Sequence, residues 1–263
     1  MVKQSAAWIV KQKQDGVPLV VGISGAQGTG KSTLAQQIKD MLTHTYSVAI
    51  LSLDDLYLSQ EKRDVLAQNI HPLFKIRGVP TTHDVALGIQ TLEQLKSGQG
   101  DVLLPRFDKQ IDNPKPKEDW DICQSPVDIV LFEGWCLGLT AQKEGDLIKP
   151  INALERNEDE DGVWRKQVND VLKAEFQALF GLVDTLIYLQ APSSDTVFEW
   201  RKQQELETFA NQADLAMNDA ELTRFMAHFE RLTRHGLTTL PQQADVVIRL
   251  GEQHQCLDIV CRD

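Results

Sequence analysis

The feature that most restricts the fold of this chain is the octapeptide GAQGTGKS at residues 25–32, which matches the pattern G-x-x-x-x-G-K-[ST] in full. It follows an apolar run, residues 18–24, that predicts a buried strand, and it precedes Leu34, Ile38 and Leu42 at helical spacing. The glycines let successive backbone N–H groups point at an anion, which the positive end of the helix also attracts. The sequence therefore predicts a nucleotide-binding loop. The residues expected to contact the phosphates are Gly25, Ala26, Gln27, Gly28, Thr29, Gly30, Lys31, Ser32 and Thr33.

Phosphate transfer from ATP needs positive charge around the departing γ-phosphate. Lys31 is predicted to reach the β- and γ-phosphates, and the Ser32 hydroxyl is predicted to ligate Mg²⁺. Arg201 lies on a charged helix predicted over residues 193–209, where a P-loop kinase often carries a lid. We therefore expect ATP and Mg²⁺ as cofactors and Lys31 and Arg201 as catalytic cations, although Arg201 also fits a solvated helix charge.

Two carboxylate positions directly follow predicted strands. Asp54 comes after residues 47–53, and Glu133 comes after residues 127–132. Ligands of open α/β sheets bind beyond the carboxyl ends of the strands, so both side chains are expected near the phosphate loop. Asp54 is the candidate base for an attacking hydroxyl, and Glu133 is the candidate carboxylate on the metal side. The neighbouring Asp55 is expected to cap a turn.

Two further segments, about 59–83 and about 105–120, lack a clean period and are predicted to be mostly irregular acceptor-side elements. Their basic residues could clamp a carboxylate or a phosphate on the acceptor, although each of them alone is also typical of a surface charge. The candidate substrate contacts are Asp54, Tyr57, Arg77, His83, Arg106 and Lys109. A capping role at the start of a helix is the alternative for His83.

Apolar runs alternate with helical patterns along the chain, which predicts the three-layer α/β fold of P-loop NTPases, with a mostly parallel central sheet flanked by helices. The predicted strands are residues 18–24, 47–53, 127–132, 185–189 and 244–250, with a further strand-like stretch at 102–107. Predicted helices include residues 84–96, 163–180 and 193–209 and a last helix from Asn218, capped with Glu221 and ended by Gly236. We expect residues 1–263 to form a single kinase domain, with a helical lid over about 193–217.

The composition excludes several partners. The net charge is −11 at a sequence pI near 5.0, which disfavours nucleic acid and anionic membranes. No run approaches the roughly 20 apolar residues of a membrane helix. The four cysteines form no C-x-x-C pair and are expected to be free, buried or half-buried thiols. We expect a cytoplasmic monomer or homodimer that acts on a small molecule.

Four positions on the predicted last helix were assigned by their pattern alone. Phe225 and Phe229 recur at helical spacing with other apolar residues and are expected in the core. Arg231 and Arg234 lie beside that apolar face and are expected to be ordinary solvated positions.

Several motifs taken together resemble the D-glycerate 3-kinase family, a branch of the phosphoribulokinase, uridine kinase and pantothenate kinase superfamily. These are GAQGTGKST, SLDDLYL, RGVPTTHD, PRFDK, FEGWC, WRKQQE and MNDAEL, which together span about residues 18–250. The resemblance implies transfer of phosphate from ATP to D-glycerate, giving 3-phosphoglycerate. It also implies a catalytic aspartate at Asp54, Mg²⁺ chemistry near Glu133, and an acceptor-side element at Arg77, His83 and Asp84.

The chain departs from the family pattern at Thr81-Thr82, where a glycine is expected. Other acceptors remain open at this stage, namely pantothenate, a nucleoside or a sugar phosphate. A nucleoside would call for aromatic stacking, which Tyr57, Phe107 and Trp135 could provide. A protein of another class, an ATP-binding switch without kinase activity, is also compatible with the phosphate loop.

Overall fold

The structure is a computed structural model that describes residues 1–208 and 216–262. Its strands are β1 (Leu19–Ser24), β2 (Val48–Ser52), β3 (Val102–Leu104), β4 (Phe107–Asp108), β5 (Asn113–Pro114), β6 (Asp121–Cys123), β7 (Ile129–Gly134), β8 (Thr185–Gln190), β9 (Val246–Leu250) and β10 (Cys256–Cys261). Its helices are α1 (Val2–Gln12), α2 (Lys31–Leu42), α3 (Gln60–Asn69), α4 (Val85–Ser97), α5 (Glu144–Leu147), α6 (Ala153–Glu158), α7 (Val163–Lys173), α8 (Glu175–Phe180), α9 (Ser194–Thr208) and α10 (Asp219–Gln243). Short 3-10 turns cover Leu53–Leu56, Pro72–Lys75 and Lys117–Asp119.

The central sheet has six strands in the order β10-β9-β8-β1-β7-β2. All neighbouring strands run parallel except the edge pair β10 and β9, which is antiparallel. Every residue of β1 and β7 is buried, which fits the apolar runs from which both strands were predicted. The predicted three-layer α/β fold with a mostly parallel sheet is therefore confirmed.

The sheet separates two apolar clusters because alternate strand residues point to opposite faces. On one face Val21 and Ile23 pack with residues of α1, α2 and α9. On the other face Val20 and Phe132 pack with residues of α4, α7, α8 and α10. Helices on both faces leave the carboxyl ends of the strands as the open edge where the phosphate loop lies.

Two helical expectations differ from the structure. The segment 59–83 contains α3, which Ser59 caps by accepting a hydrogen bond from the Lys62 backbone, and its one buried side chain is Arg63. Its apolar face is too small to show a period. The predicted helix 163–180 breaks at Ala174, whose φ of −107° and ψ of −84° separate α7 from α8.

Glycine and capping signals near two helix ends also misled the prediction. Gly236 does not end α10, which continues to Gln243, because a glycine inside the helix gives room to Leu139, only 3.2 Å from a Cβ built there. Asp84, rather than His83, caps α4 by accepting from the backbone of Leu87. The capping box of Asn218 and Glu221 at the start of α10 is present as predicted.

Strand β10 was missed because Asp258 interrupts its short apolar sequence, which shows no strict alternation of apolar and polar residues, and because most of its residues are exposed. Its position at the sheet edge also sets the solvent exposure of two cysteines. Cys256 and Cys261 lie on this edge strand and are exposed, contrary to the expectation of buried or half-buried thiols, whereas Cys123 is half-buried and Cys136 buried. The prediction of free thiols holds for all four.

Arg231 corrects another expectation, because it is buried rather than solvated. Its guanidinium binds both carboxylate oxygens of Glu155, at 2.7 Å from Nε and 2.6 Å from Nη2, and neither side chain is more than 6% exposed. The neighbouring Arg234 is exposed and pairs with Glu230 one turn away, as expected for a surface position.

The predicted lid, about 193–217, corresponds in part to α9. Residues 209–215 of that segment lie outside the described residues. Within the ranges that the structure covers, 1–208 and 216–262, no helix combines the length and apolarity needed to cross a membrane.

Candidate active site

The phosphate loop connects the end of β1 at Ser24 to the first residue of α2, Lys31. Gly28 and Gly30 adopt left-handed backbone conformations, with φ of 76° and 84°. Glycine adopts such angles without steric cost, so the loop can curl around an anion at the head of α2. A Cβ added to Gly28 would also lie 2.7 Å from the Cβ of Trp200, so the loop packs closely on α9.

Glu133 lies at the end of β7, which pairs directly with β1, and its side chain faces the loop. One carboxylate oxygen, Oε1, accepts hydrogen bonds from the hydroxyls of Ser32 at 3.1 Å and Ser52 at 2.5 Å. Three elements therefore converge on one carboxylate that is only 6% exposed. Oxygen donors from a hydroxyl and a carboxylate suit Mg²⁺, which usually keeps several waters and binds phosphate oxygens as well.

Lys31 turns back over the loop and donates to the carbonyl of Ala26 at 3.0 Å. Burial lowers the pKa of the Lys31 ammonium, and the negative charges of Glu133 and Asp54 oppose that shift without cancelling it. The ammonium therefore lies between two carboxylates at the strand ends, in a position to meet a phosphate chain that the loop holds.

Asp54 follows β2 in a 3-10 turn whose cap is the hydroxyl of Ser52. One of its carboxylate oxygens accepts from the Tyr57 hydroxyl at 2.6 Å, and the other pairs with the Lys109 ammonium at 2.6 Å. Burial raises the pKa of Asp54, but the Lys109 charge and hydrogen bond, together with the Tyr57 hydroxyl, outweigh it and leave the pKa below its usual value. The carboxylate is thus ionised at neutral pH and about a third exposed, at 35%.

These groups line one cavity of about 1160 Å³. Predicted site residues that line it are Gln27, Gly28, Gly30, Lys31, Ser32, Thr33, Asp54, Tyr57, Arg77, Lys109, Glu133 and Arg201. The remaining loop residues Gly25, Ala26 and Thr29 lie just behind the lining, and the Thr29 hydroxyl donates to the Ala26 carbonyl at 2.8 Å.

Two predicted substrate residues do not line this cavity. His83 is 5% exposed and packs under Tyr57, with the two ring centroids 4.7 Å apart. Burial lowers the pKa of His83 to about 4, so the imidazole is neutral at physiological pH. Arg106 instead pairs with Asp55 at 3.2 Å and with Asp121 at 2.7 Å. Asp55 also accepts from the backbone of Phe107 at 3.0 Å, so it anchors the 105–120 segment rather than capping its own turn.

Arg201 lines the cavity from α9 and is held there by two contacts. Its guanidinium pairs with Glu205, one turn further along α9, at 2.7 Å. It also lies over the ring of Phe225, 5.6 Å from the centroid. Glu205 is buried and in addition accepts from the backbone of Met217 at 3.1 Å. The contacts with Glu205 and Phe225 thereby hold the guanidinium at the cavity lining.

Comparison with known proteins places this geometry in a family. No protein-family model matches the chain. The uncharacterized kinase mug58 of Schizosaccharomyces pombe is 32% identical over 227 residues, which cover 82% of this chain and 80% of that protein. The probable ATP-dependent kinase TDA10 of Saccharomyces cerevisiae is 30% identical over 81% of this chain and 75% of its own length. The chloroplastic D-glycerate 3-kinase of Arabidopsis thaliana is 27% identical over 88% of this chain and 50% of that longer protein.

The chain belongs to the D-glycerate 3-kinase family of P-loop kinases. Among solved structures, the D-glycerate 3-kinase from Cryptococcus neoformans superposes with a TM-score of 0.80 at 24% identity, over 100% of this chain and 99% of that one. A putative fructose transport system kinase from Silicibacter has a TM-score of 0.60 at 16% identity, covering 90% of this chain and 93% of that one. At such identities these likenesses establish the fold, and the sequence relatives establish that the chain is an ATP-using kinase.

The cavity is also lined by residues that were not among the predicted site residues, although Trp135 was considered as a stacking residue for a nucleoside. Trp135, Trp200 and His254 line the cavity, as do the polar side chains of α9 at Gln203, Gln204, Glu205, Glu207 and Thr208. Trp135 directly follows Glu133-Gly134, and Trp200 precedes Arg201, so proximity to predicted residues was the available signal for both. Phe225 and Phe229, expected only as core residues, also line the cavity.

His254 had no such signal, because it lies in the turn between β9 and β10 and meets a loop 226 residues away in sequence. Its Nε2 lies 2.8 Å from the carbonyl of Gly28, and its ring stacks on Trp200 with centroids 4.1 Å apart. The C-terminal hairpin thus contacts the phosphate loop of this kinase.

The departure at Thr81 has a structural counterpart. Thr81 adopts a φ of 93°, a value that favours glycine, in the turn where the family pattern led us to expect one. The neighbouring Thr82 stabilises this turn, because its hydroxyl accepts from the Gly78 backbone at 2.9 Å and donates to the Val79 carbonyl at 2.7 Å. The hydrogen bonds of the Thr82 side chain therefore stabilise a turn whose φ at Thr81 is unfavourable for a residue other than glycine.

Proposed function

We propose that this kinase transfers the γ-phosphate of ATP to the primary hydroxyl of D-glycerate, giving 3-phosphoglycerate. The observation that carries the proposal is the position of Asp54, an ionised carboxylate at the end of β2 that faces the same cavity as the phosphate loop. A pure nucleotide switch needs no such base. The 27% identity to a D-glycerate 3-kinase over most of the chain supports glycerate as the acceptor.

In this proposal the phosphate loop and Lys31 hold the triphosphate, while Ser32 and Glu133 hold Mg²⁺. The donor set fits Mg²⁺, which prefers hard oxygen ligands, because Ser32 offers a hydroxyl and Glu133 a carboxylate. The two oxygens already lie 3.1 Å apart, joined by a hydrogen bond. Bound Mg²⁺ would neutralise charge on the β- and γ-phosphates. Arg201 adds positive charge from α9, the described part of the proposed lid.

Asp54 would accept the proton of the acceptor hydroxyl as the oxygen attacks phosphorus in line with the leaving group. Tyr57 and Lys109 keep the carboxylate ionised and fix its orientation. Arg77 lines the same cavity and offers a planar set of N–H donors suited to the carboxylate of glycerate. His83 and Arg106 would act from behind the lining, by supporting Tyr57 and the 105–120 segment. The chain would work as one domain, cytoplasmic and monomeric or homodimeric.

The acceptor is tested by measuring ADP release with D-glycerate, L-glycerate, pantothenate, uridine and ribulose 5-phosphate, and by identifying the product by phosphorus NMR. We expect release to depend on acceptor, to be fastest with D-glycerate, and to give 3-phosphoglycerate. Faster turnover with pantothenate would instead support the acceptor named for the pantothenate kinase of Levilactobacillus brevis, which is 27% identical over 51% of this chain. Slow hydrolysis that no acceptor accelerates would support the switch instead.

A further inference from the structure

Behind the cavity lining, Asp112 joins two arginines that come from separate parts of the chain. One carboxylate oxygen, Oδ2, pairs with Nη2 of Arg63 on α3 at 2.6 Å, and the other, Oδ1, pairs with Nη1 of Arg77. Asp112 lies in the turn between β4 and β5 with a φ of 55°, a conformation that Asp and Asn adopt more readily than most residues. The three charges form one cluster, called here the Asp112 cluster (Arg63, Arg77 and Asp112).

The two arginines of the cluster differ in what they can offer a ligand. Arg63 is 1% exposed, and it also donates to the backbone carbonyls of Leu58, Lys75 and Asp112 at 3.2, 2.8 and 3.1 Å. Arg77 lines the cavity, and within the described part of the chain its guanidinium makes a single hydrogen bond, to Asp112. Arginine has five N–H donors, so most of those on Arg77 are available to an acceptor.

The orientation of Arg77 is fixed from two sides. Asp112 holds one edge of the guanidinium, and the ring of Phe107 lies under its face, 5.6 Å from the centroid. Asp112 therefore prepares Arg77 to bind an anion as well as cancelling part of its charge.

The formal charge at this end of the cavity can be counted from the pairs. Two arginines and one carboxylate give the Asp112 cluster a net charge of +1, because +2 and −1 add to +1. The other ion pair beside it, Lys109 with Asp54, adds nothing. An acceptor with one negative charge would balance the cluster, whereas a second negative charge would find no unmatched cation and would lose its hydration.

We propose that Asp112 is a specificity-determining residue: by holding Arg77 and limiting the acceptor end of the cavity to one net positive charge, it selects hydroxy acids with a single carboxylate. Neutral polyols leave the donors of Arg77 without an anionic partner, and phosphate esters bring one negative charge too many. The inference rests on the proposed function only in assigning the Arg77 end of the cavity to the acceptor. It applies to any monoanionic acceptor, glycerate or another.

The test uses three-carbon acceptors that share a primary hydroxyl and differ in charge: glycerol, D-glycerate and sn-glycerol 3-phosphate. For the wild-type chain, kcat/KM is expected to be highest with glycerate. In Asp112→Asn, which removes the charge and keeps one carbonyl oxygen as an acceptor for one of the two arginines, the ratio of kcat/KM for glycerol 3-phosphate to that for glycerate should rise about tenfold. A merely structural role would lower both values together and leave the ratio unchanged.

A matched control is Asp64→Asn, which removes an exposed carboxylate next to Arg63 in sequence, 3.9 Å from Lys75. It should leave the ratio unchanged. Should Asp112→Asn fail to fold, Arg77→Gln supplies the second measurement. This variant brings the cluster to zero net charge, so the preference for glycerate over glycerol should fall about tenfold or more, through KM.

A wild-type preference for glycerol 3-phosphate, or an unchanged ratio in folded Asp112→Asn, would overturn the inference even with glycerate as a good substrate. If the kinase instead used pantothenate and not glycerate, the proposed function would fail on its own. The inference would then be tested with pantothenate against neutral pantothenyl alcohol, where it requires the anion to be preferred and the preference to fall in Arg77→Gln.

Discussion

Asp54 obtains its chemistry from neighbours that come from other segments of the chain. A carboxylate that ends a strand is common in loops, and by itself it says little about catalysis. Here Lys109, from the 105–120 segment, and Tyr57, at the end of the following turn, bind its two oxygens at 2.6 Å each. Both contacts favour the ionised form, so the candidate base keeps no proton at neutral pH and is ready to accept one.

Replacement of Asp54 by asparagine should lower kcat by about 10²- to 10⁴-fold, the usual contribution of a positioned general base. The amide keeps much of the shape and can still accept from Tyr57, but it cannot take the proton of an acceptor hydroxyl. Acceptor-dependent ADP release measures the loss, and titration calorimetry with ATP should show nearly unchanged affinity. Full turnover in the variant would remove Asp54 from the mechanism.

Tyr57→Phe should move the acidic limb of the pH–rate profile to higher pH. The reacting form has an ionised Asp54, so activity falls as the pH drops through the pKa of that carboxyl. The Tyr57 hydroxyl helps to hold this pKa below its usual value, and its removal raises the pKa. Profiles of kcat/KM for the acceptor against pH measure the shift.

Tyr46→Phe is the control for this variant, because Tyr46 packs near Lys13, away from the cavity lining. Its profile should match the wild type. An acidic limb of Tyr57→Phe at the wild-type pH or below would show that another group controls the limb.

At the scale of elements, the phosphate loop is supported by parts of the chain that are distant in sequence. Helix α9 brings Trp200 against Gly28, and the turn between β9 and β10 places His254 on the Gly28 carbonyl. The loop is therefore held both by packing against Trp200 and by a hydrogen-bond contact with His254, whose rings stack on each other. Neither contact is part of the sequence motif, although both act on one of its glycines.

Alanine substitutions at Gly28 and Gly30 should separate backbone strain from packing. Both glycines have left-handed φ angles, so each substitution should cost about 1–2 kcal/mol in the free energy of unfolding. A Cβ at Gly30 meets open space, whereas one at Gly28 lies 2.7 Å from Trp200, which adds about 1–3 kcal/mol of overpacking. Urea denaturation without nucleotide should therefore rank Gly28→Ala as the less stable variant, and equal stabilities would argue against close packing of α9 on the loop.

At the scale of the whole molecule, buried ion pairs join elements that apolar packing alone would not bring into register. Arg231 on α10 binds Glu155 on α6, and it also donates to the carbonyls of Asp146 and Lys149 at 2.8 Å each. This single guanidinium connects α10 with the α5–α6 region. Removal of one partner of such a pair leaves a buried charge without compensation.

Arg231→Met should accordingly lower the free energy of unfolding by about 3–5 kcal/mol, the usual effect of breaking a buried pair. Arg234→Met lies on the same helix and removes an exposed i,i+4 pair with Glu230, so its effect should stay below about 0.5 kcal/mol. Urea denaturation of both variants provides the comparison. A similar small loss in each would mean that the Arg231 pair contributes no more than a surface contact.

The charge of the molecule also differs between its surface and its site. The chain carries −11 overall, whereas the lining of the cavity in which the nucleotide is proposed to bind is balanced: it has four cations and four carboxylates, namely Lys31, Arg77, Lys109, Arg201, Asp54, Glu133, Glu205 and Glu207. Local cations at short range, inside a partly dehydrated cavity, act more strongly than distant and screened surface charges. Net charge thus informs about macromolecular partners and says little about the ligand of a cavity.

Some properties were determined by the sequence alone because they depend on neighbours along the chain. The phosphate loop at residues 25–32 can be recognised from its own glycines, and the helix after it from its own apolar spacing. The apolar runs of β1 and β7 likewise identify strands that are buried on both faces. The capping box at Asn218 is equally local. For the same reason the D-glycerate 3-kinase family could be recognised from short motifs.

Tertiary structure decided every property that depends on contacts between segments that are distant in the sequence. The residues around Asp112 in the sequence do not predict its contacts with Arg63 and Arg77, and those around His254 do not predict its contact with Gly28. These contacts form only when the sheet and its crossovers are in place. Exposed strands and helices such as β10 and α3 were missed because a small buried face leaves no hydrophobic period. His83 and Arg106 were predicted to contact the substrate from their residue types and segments alone. Burial under Tyr57 keeps His83 out of the cavity lining, and pairing with Asp55 and Asp121 occupies Arg106.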